Sequence, residues 1–241
     1  VILGSPVAGI AKDEIIDATP AIRKIQQIVT DDEFQNLPRK FKTAISGNAR
    51  QDVVHEINDL AFIGVEHPEL GPGFECYVGG GLSTNPMLAQ SLGAFVTLEQ
   101  VPDVWANVVR IFRDYGYRRL RNRARLKFLV KEWGVEKFRQ ILEDDYLGYK
   151  LADGPKAPNN LVDRDHIGVH EQKDGNVYIG VKPTLGHMSG EQLIALADLA
   201  EKYGVTDLRF TPFKEVLLLG VKPEDVEKLQ ADLEEMGLYS K

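Results

Sequence analysis

The stretch HIGVHEQKDGNVYIGV, residues 166–181, decides how the second half of the chain folds. His166 to Gln172 and Asn176 to Val181 are strand-like runs, and Lys173-Asp174-Gly175 between them favours the positive φ angles of a tight hairpin turn. Ser189 and Gln192 then spell a capping box. They open a helix whose buried stripe is expected at Leu193, Leu196, Ala197 and Ala200 and whose stop is Gly204. Leu208 to Thr211 and Val216 to Val221 read as two more strands. A last helix has Pro223, Glu224 and Asp225 in its first turn, runs through Val226, Leu229, Leu233 and Met236, and ends at Gly237. The order ββαββα predicts a small two-layer α+β unit, a four-stranded sheet with helices on one face.

Working back from this unit, Leu151 to Pro158 is turn-rich and the polar Asn159-Asn160 follows, which places a linker there. The region before it is mixed. Thr19 and Pro20 form a cap-plus-N1 pair for a short helix through Ile22, Ile25 and Val29. Strands are expected at Lys40–Ser46, Leu60–Val65 and Phe74–Val78. Met87 to Leu92 reads as helical, and a longer helix carries Val104, Val108, Ile111 and Tyr115. Two further helical stretches lie near Arg123–Trp133 and Val135–Leu147. No internal repeat recurs at a fixed short period.

Composition bounds the function. With 241 residues, 43% hydrophobic and 27% charged, the chain is globular and long enough for two cores. A net charge of -7 argues against a protein dedicated to nucleic acid, although local basic clusters need explaining. No apolar run approaches a membrane span, so no membrane partner is expected. Val1 in place of Met is read as an internal start in a longer polypeptide or the product of trimming. The single cysteine, Cys76, excludes an internal disulfide and any site of several thiolates, and a reducing cytoplasm is the default.

Three segments could carry chemistry together. In LPRKFKTAIS, residues 37–46, Pro38 biases Leu37 toward extended backbone, and Lys40 and Lys42 share one face of the expected strand. Two ammonium groups so close repel, and an anionic ligand across that face relieves the repulsion. The plainer reading is an edge strand guarded by lysines. The second segment, VGGGLS at 78–83, places three glycines after a strand, where their amides can approach a flat ligand or an anion. Its spacing is neither a Rossmann fingerprint nor a P-loop. The third crowds Arg118, Arg119, Arg121, Arg123, Arg125 and Lys127 into one stretch suited to carboxylates or phosphates. No aromatic residues alternate with these arginines, as a base-stacking platform would want.

Together LPRKFK, Asn58-Asp59 leading to Phe62, VGGGLS and RNRARLK at 121–127 resemble the sirohaem-dependent sulfite and nitrite reductases, most closely the bacterial ferredoxin-type assimilatory enzymes. The order and spacing match over nearly all of residues 1–149. Leu208-Arg209-Phe210-Thr211 is similar to an Arg-x-Thr signature of the family's ferredoxin-like half-domain. The resemblance implies a mixed α/β sirohaem-binding domain at 1–150, a linker at 151–162 and a ferredoxin-like ββαββα half-domain at 163–241.

It also implies a function. Such enzymes carry out the six-electron reduction of sulfite to sulfide, or nitrite to ammonia, at a sirohaem iron coupled to a 4Fe-4S cluster, with a ferredoxin-type electron donor. Carried over, Lys40 and Lys42 are the catalytic candidates, holding the substrate oxyanion and helping to deliver protons. Lys42 favours sulfite, since plant-type nitrite enzymes carry Asn there. Arg121, Arg125 and Lys127 are candidates for the sirohaem carboxylates, with Arg39 and Arg50 in the same electrostatic role, and Gly79, Gly80 and Gly81 let backbone approach the ring.

The departures define the expected extent of the piece. A 4Fe-4S cluster requires four thiolates, and this chain offers one, so the cluster ligands are expected outside it. The family's amino-terminal half-domain is likewise absent. The chain therefore resembles the middle of a reductase, inactive by itself, and former interface exposed on it makes a homodimer a hypothesis. Two other readings stand beside this one. One is a non-catalytic ferredoxin-like binding or assembly module. The other, ranked last on charge, is nucleic-acid binding through Arg118–Lys127. Cys76 is expected as a buried apolar residue on the face of Phe74 and Val78, and the histidines show no metal-ligand spacing, so no metal site is expected.

Overall fold

Six strands pair in chain order in the computed structural model, which describes residues 1–159 and 164–240: β1 (Ile2–Gly4), β2 (Thr43–Ser46), β3 (Leu60–His67), β4 (Gly71–Val78), β5 (Gln90–Val96) and β6 (Ala152–Asp153). The first three run parallel and the last four antiparallel. The parallel step from β1 to β2 carries α1 (Thr19–Ile28), the crossover that such a connection requires. Three more helices follow β5: α2 (Val101–Tyr115), α3 (Leu126–Trp133) and α4 (Val135–Ile141). Strand alternation puts Ile45, Leu60, Phe62, Phe74, Cys76 and Val78 on one face, where they share a core with Ile25, Val104, Trp105, Val108, Leu126 and Phe138 of the helices. The expected placement of Cys76 with Phe74 and Val78 is what the core shows.

A second sheet, in the order β7-β8-β10-β9, is antiparallel throughout and comprises β7 (Gly168–Glu171), β8 (Val177–Val181), β9 (Asp207–Phe210) and β10 (Val216–Val221). With α5 (Gly190–Lys202) and α6 (Val226–Glu235) it has the expected ββαββα order. Ile179, Val181, Leu218 and Val221 meet Leu196, Leu199, Leu229 and Leu233 in its core. The turn forms as read: Gly175 has φ +86°, and Asp174 Oδ1 accepts the Asn176 N–H at 3.0 Å. The Ser189–Gln192 capping box has both of its hydrogen bonds, 3.1 and 3.0 Å.

Contacts divide the chain into two units, Val1–Gly9 with Glu14–Asn159, and Ile10–Asp13 with the described residues after 159. Linker residues 160–162 and the expected domain start at 163 lie outside the described residues. At the other end of that linker, Ala152 and Asp153 pair with Phe95 and Ala94 as β6.

The structure corrects several local expectations. Met87 to Leu92 is not helical. Met87 bridges back to Gly81, and β5 starts at Gln90, because Leu92, Ala94 and Val96 bury at period two once β4 is available as a pairing partner. The strand expected from Lys40 begins only at Thr43, and β1 was not anticipated. Thr19 lies inside α1, and the Asp17 carboxylate takes its N–H. On α5, Leu193 and Ala197 are exposed, and the buried stripe is Leu196, Leu199 and Ala200. His166 precedes β7, its ring edge-on to that of His170 at 6.3 Å between centroids.

Candidate functional site

The lysine segment ends where β2 meets β3, and Asp59, the residue before β3, holds it there. Lys42 N–H donates to Asp59 Oδ2 at 2.9 Å, and Lys42 C=O accepts from the N–H groups of Asp59 and Leu60 at 3.0 and 3.2 Å. Arg125, at the start of α3, reaches the same carboxylate. Its Nε and Nη2 donate to Oδ1 at 3.0 and 2.9 Å, and Nη2 also donates to Oδ2 at 2.8 Å. Asp59 is fully buried and Arg125 is 8% exposed, so this is a buried ion pair with its acceptor atoms satisfied.

Around the pair lies a cavity of about 420 Å³ lined by Arg39, Lys40, Lys42, Arg121, Arg125 and Lys127, with Ser83, Thr84, Asn122 and Phe128 among the uncharged residues. Among the described residues that line it there is no carboxylate. Because β2 lies between β1 and β3, the lysines do not guard a sheet edge, and the plainer reading of LPRKFK fails. Lys40 is exposed and Lys42 half-buried, with Phe41 between them turned into the core. Arg39 is positioned by donating from Nη1 to Arg121 C=O at 2.6 Å.

Burial, the Arg125 guanidinium and Lys40 push the Lys42 ammonium below the ordinary lysine value, with Asp59 pulling the other way. Lys127 is lowered by burial and by Arg125. Burial raises the Asp59 carboxyl, opposed by hydrogen bonds from Arg125 and from the Lys42 backbone. Three cations are thus packed closely enough to compete, with one acid behind them as counter-charge.

Two of the sequence candidates have work inside the protein. Lys127 Nζ donates to the carbonyls of Gly81 at 3.3 Å and Leu82 at 2.8 Å and to that of Asn85, which uses the three donors of an ammonium group. It ties down the 82–86 loop and lends the cavity charge rather than free donors. The glycines serve close approach of chain to chain. A Cβ on Gly80 would stand 2.4 Å from Glu56 O and 2.5 Å from Asn58 O, and one on Gly79 would meet Val130 at 3.0 Å. None of the three lines the cavity, but a Cβ on Gly81 would stand 3.2 Å from Nη2 of Arg125, a residue that does.

Arg50 is not brought to this cavity. It follows β2, whereas Lys40 and Lys42 precede it, and its N–H donates to Asn48 Oδ1 at 2.8 Å. Arg118, Arg119 and Arg123 are exposed and do not line the cavity. The sequence motifs include Asp59 but give it no role in the site. Its signal was an acid directly before the apolar run LAFIGV, where an unpaired carboxylate would be too costly to bury. Among the described residues no group of three or more His, Cys, Asp or Glu could hold a metal ion, and no helix is long and apolar enough to cross a membrane. Cys76 is fully buried in the core, and burial raises its thiol.

The first unit thus joins a mixed sheet under helices to a cavity lined by six cations, and the second is a ββαββα unit. Residues 1–151 match the nitrite and sulphite reductase 4Fe-4S domain, and residues 170–236 match the nitrite/sulfite reductase ferredoxin-like half domain. The chain belongs to the nitrite and sulfite reductase family. It is 54% identical over its full length to sulfite reductase (ferredoxin) 2 of Mycolicibacterium paratuberculosis, of which it spans 43%. It is 34% identical to the assimilatory ferredoxin-dependent nitrite reductase of Haloferax mediterranei, covering 96% of this chain and 42% of that one. The solved structure of the Mycobacterium tuberculosis NirA protein superposes with a TM-score of 0.96 at 52% identity, over 100% of this chain and 44% of that one. The chain thus spans less than half the length of the curated relatives it matches.

Proposed function

We propose that this chain forms one wall of the active-site pocket of a sirohaem and 4Fe-4S sulfite or nitrite reductase. Lys40 and Lys42 hold the substrate oxyanion, and Arg39, Arg121 and Arg125 face the sirohaem carboxylates. The observation that carries this reading is the cavity of six cations with no carboxylate among its described lining residues, in a chain whose net charge is -7. Such a concentration of like charge fits a polyanionic ligand, whose arrival offsets both repulsion and desolvation. When bound, sirohaem coupled to a cluster would pass electrons from a ferredoxin-type donor to sulfite or nitrite. Lys42 Nζ, lowered from the ordinary lysine value, holds a proton it can release toward a bound oxyanion more readily than an exposed lysine. Lys127 orders the loop beside the pocket, and Gly81 leaves room next to Arg125.

The single thiol lies in the core, so the cluster thiolates belong to residues outside this chain, and the chain by itself does not turn over substrate. A ferredoxin-type donor, a cytoplasmic location and a homodimer complete the proposal. The test is an absorption spectrum with iron, acid-labile sulfide and intact-mass measurements on the protein from its natural source. Sirohaem bands and about four cluster irons per chain in a protein of larger mass are expected. A colourless protein of 26.9 kDa that binds no tetrapyrrole would overturn the reading in favour of a binding module. Steeply salt-dependent retention on RNA would favour the basic-segment alternative.

A further inference from the structure

We infer that Asp59 is a positioning residue of the anion pocket, one that fixes the Lys42 backbone and aims the Arg125 guanidinium into the cavity. The inference rests on the anion-pocket reading above and deepens it. Five bonds carry it. Asp59 grips Lys42 from both sides, its carboxylate taking the Lys42 N–H and its own N–H donating to the Lys42 carbonyl. The same carboxylate takes Nε and Nη2 of Arg125. Among the described residues no bond uses Arg125 Nη1, and Arg125 lines the cavity, so the arrangement leaves one face of the fork for a ligand. Asp59 C=O also accepts the Gly79 N–H at 2.8 Å, which ties the glycine turn to the same point.

The second role of Asp59 is electrostatic. The charged groups facing Lys42 are Lys40 from its own segment, Asp59 from the start of β3 and Arg125 from the start of α3, with Arg39, Arg121 and Lys127 elsewhere on the wall. Asp59 is the acid in this set. Without it, the neighbouring cations act unopposed, and Lys42 and Lys127 lose their protons at lower pH. An anion would then be released at lower pH as well.

The experiment is calorimetric titration of the purified protein with sulfate, whose charge is constant over the range, from neutral to alkaline pH. Asp59→Asn keeps the volume and removes the charge. The alkaline limb of sulfate affinity is expected to move acidward by about one pH unit, which is about tenfold weaker binding on that limb. Asp59→Glu, which keeps the charge, should move it less. Arg125→Gln should move it the opposite way, and this reciprocal variant carries the test if Asp59→Asn does not fold. A limb unmoved in Asp59→Asn and in Arg125→Gln, with sulfate still bound, would show that the pair only supports the fold and would overturn the proposal alone. If the unaltered protein binds no sulfate and Lys42→Ala changes nothing, the anion-pocket reading falls and the Asp59 proposal falls with it.

Discussion

Trp105 Nε1 donates a 2.9 Å hydrogen bond to Thr43 Oγ1, and both residues are buried, at 3% and 1% exposure. The bond joins α2 to the first residue of β2, directly after Lys42. It therefore anchors the segment that carries the lysines to the core of the first unit.

Thr43→Val tests that anchor. The methyl keeps the volume but leaves the indole N–H buried without a partner, which costs about 1–3 kcal/mol. Urea unfolding should show a lower midpoint with an unchanged slope. An unchanged midpoint would mean that the indole finds another acceptor.

Gly80 and Gly81 should respond unequally to alanine. At Gly80 the new Cβ meets two backbone carbonyls, at 2.4 and 2.5 Å, so Gly80→Ala should destabilise by about 1–3 kcal/mol or more. At Gly81 the nearest atoms are Arg125 Nη2 and Lys127 Cδ, at 3.2 and 3.4 Å, side-chain atoms rather than backbone, so Gly81→Ala should cost less than Gly80→Ala. A tetrapyrrole-binding measurement on Gly81→Ala then reports on Arg125 and Lys127, which line the cavity.

The sign of the pH dependence follows from the lowered Lys42 and Lys127. Between their folded values and the ordinary lysine value, the native state binds fewer protons than the unfolded chain, so stability without ligand rises with pH across that window. Anion affinity falls over the same window, because the ammonium groups it relies on are lost. Unfolding midpoints and sulfate titrations at matched pH values should therefore run in opposite directions, and parallel trends would contradict the assignment.

Cys76 should be inert in the folded protein. It is fully buried, and burial raises its thiol, so thiolate is scarce and reagent cannot reach it. A chromogenic thiol reagent should react with one equivalent only after denaturation. Rapid reaction in the native state would show that the core opens locally at β4.

Much of the fold was legible because local rules and tertiary context agree there. The Asp-Gly turn, the capping box at Ser189 and the apolar spacing of α2 are set by neighbours within a few residues, and each appears as expected. Where the decisive partner is distant, local reading failed. Residues 87–92 carry enough helix formers to read as helical, yet β4 offers a paired edge and turns Gln90–Val96 into strand. Leu193 follows the helical stripe in sequence, but the face buried against β8 and β10 is rotated toward Leu199.

The cations of the site were visible in the same way, as residue types at motif spacing, but not their roles. By itself the sequence determined which charges are available, that LPRKFK and RNRARLK resemble the reductase motifs, and that one thiol cannot bind a cluster. Only the tertiary structure decided that Lys40, Lys42, Arg39, Arg121 and Arg125 share one cavity while Arg50 lies apart from it. It alone decided that Lys127 holds a loop and that Asp59 stands behind them as counter-charge. The physical reason is range. Backbone preferences act over a few residues, whereas desolvation and charge pairing depend on which distant segments the core brings within hydrogen-bonding distance, here Lys42, Asp59 and Arg125.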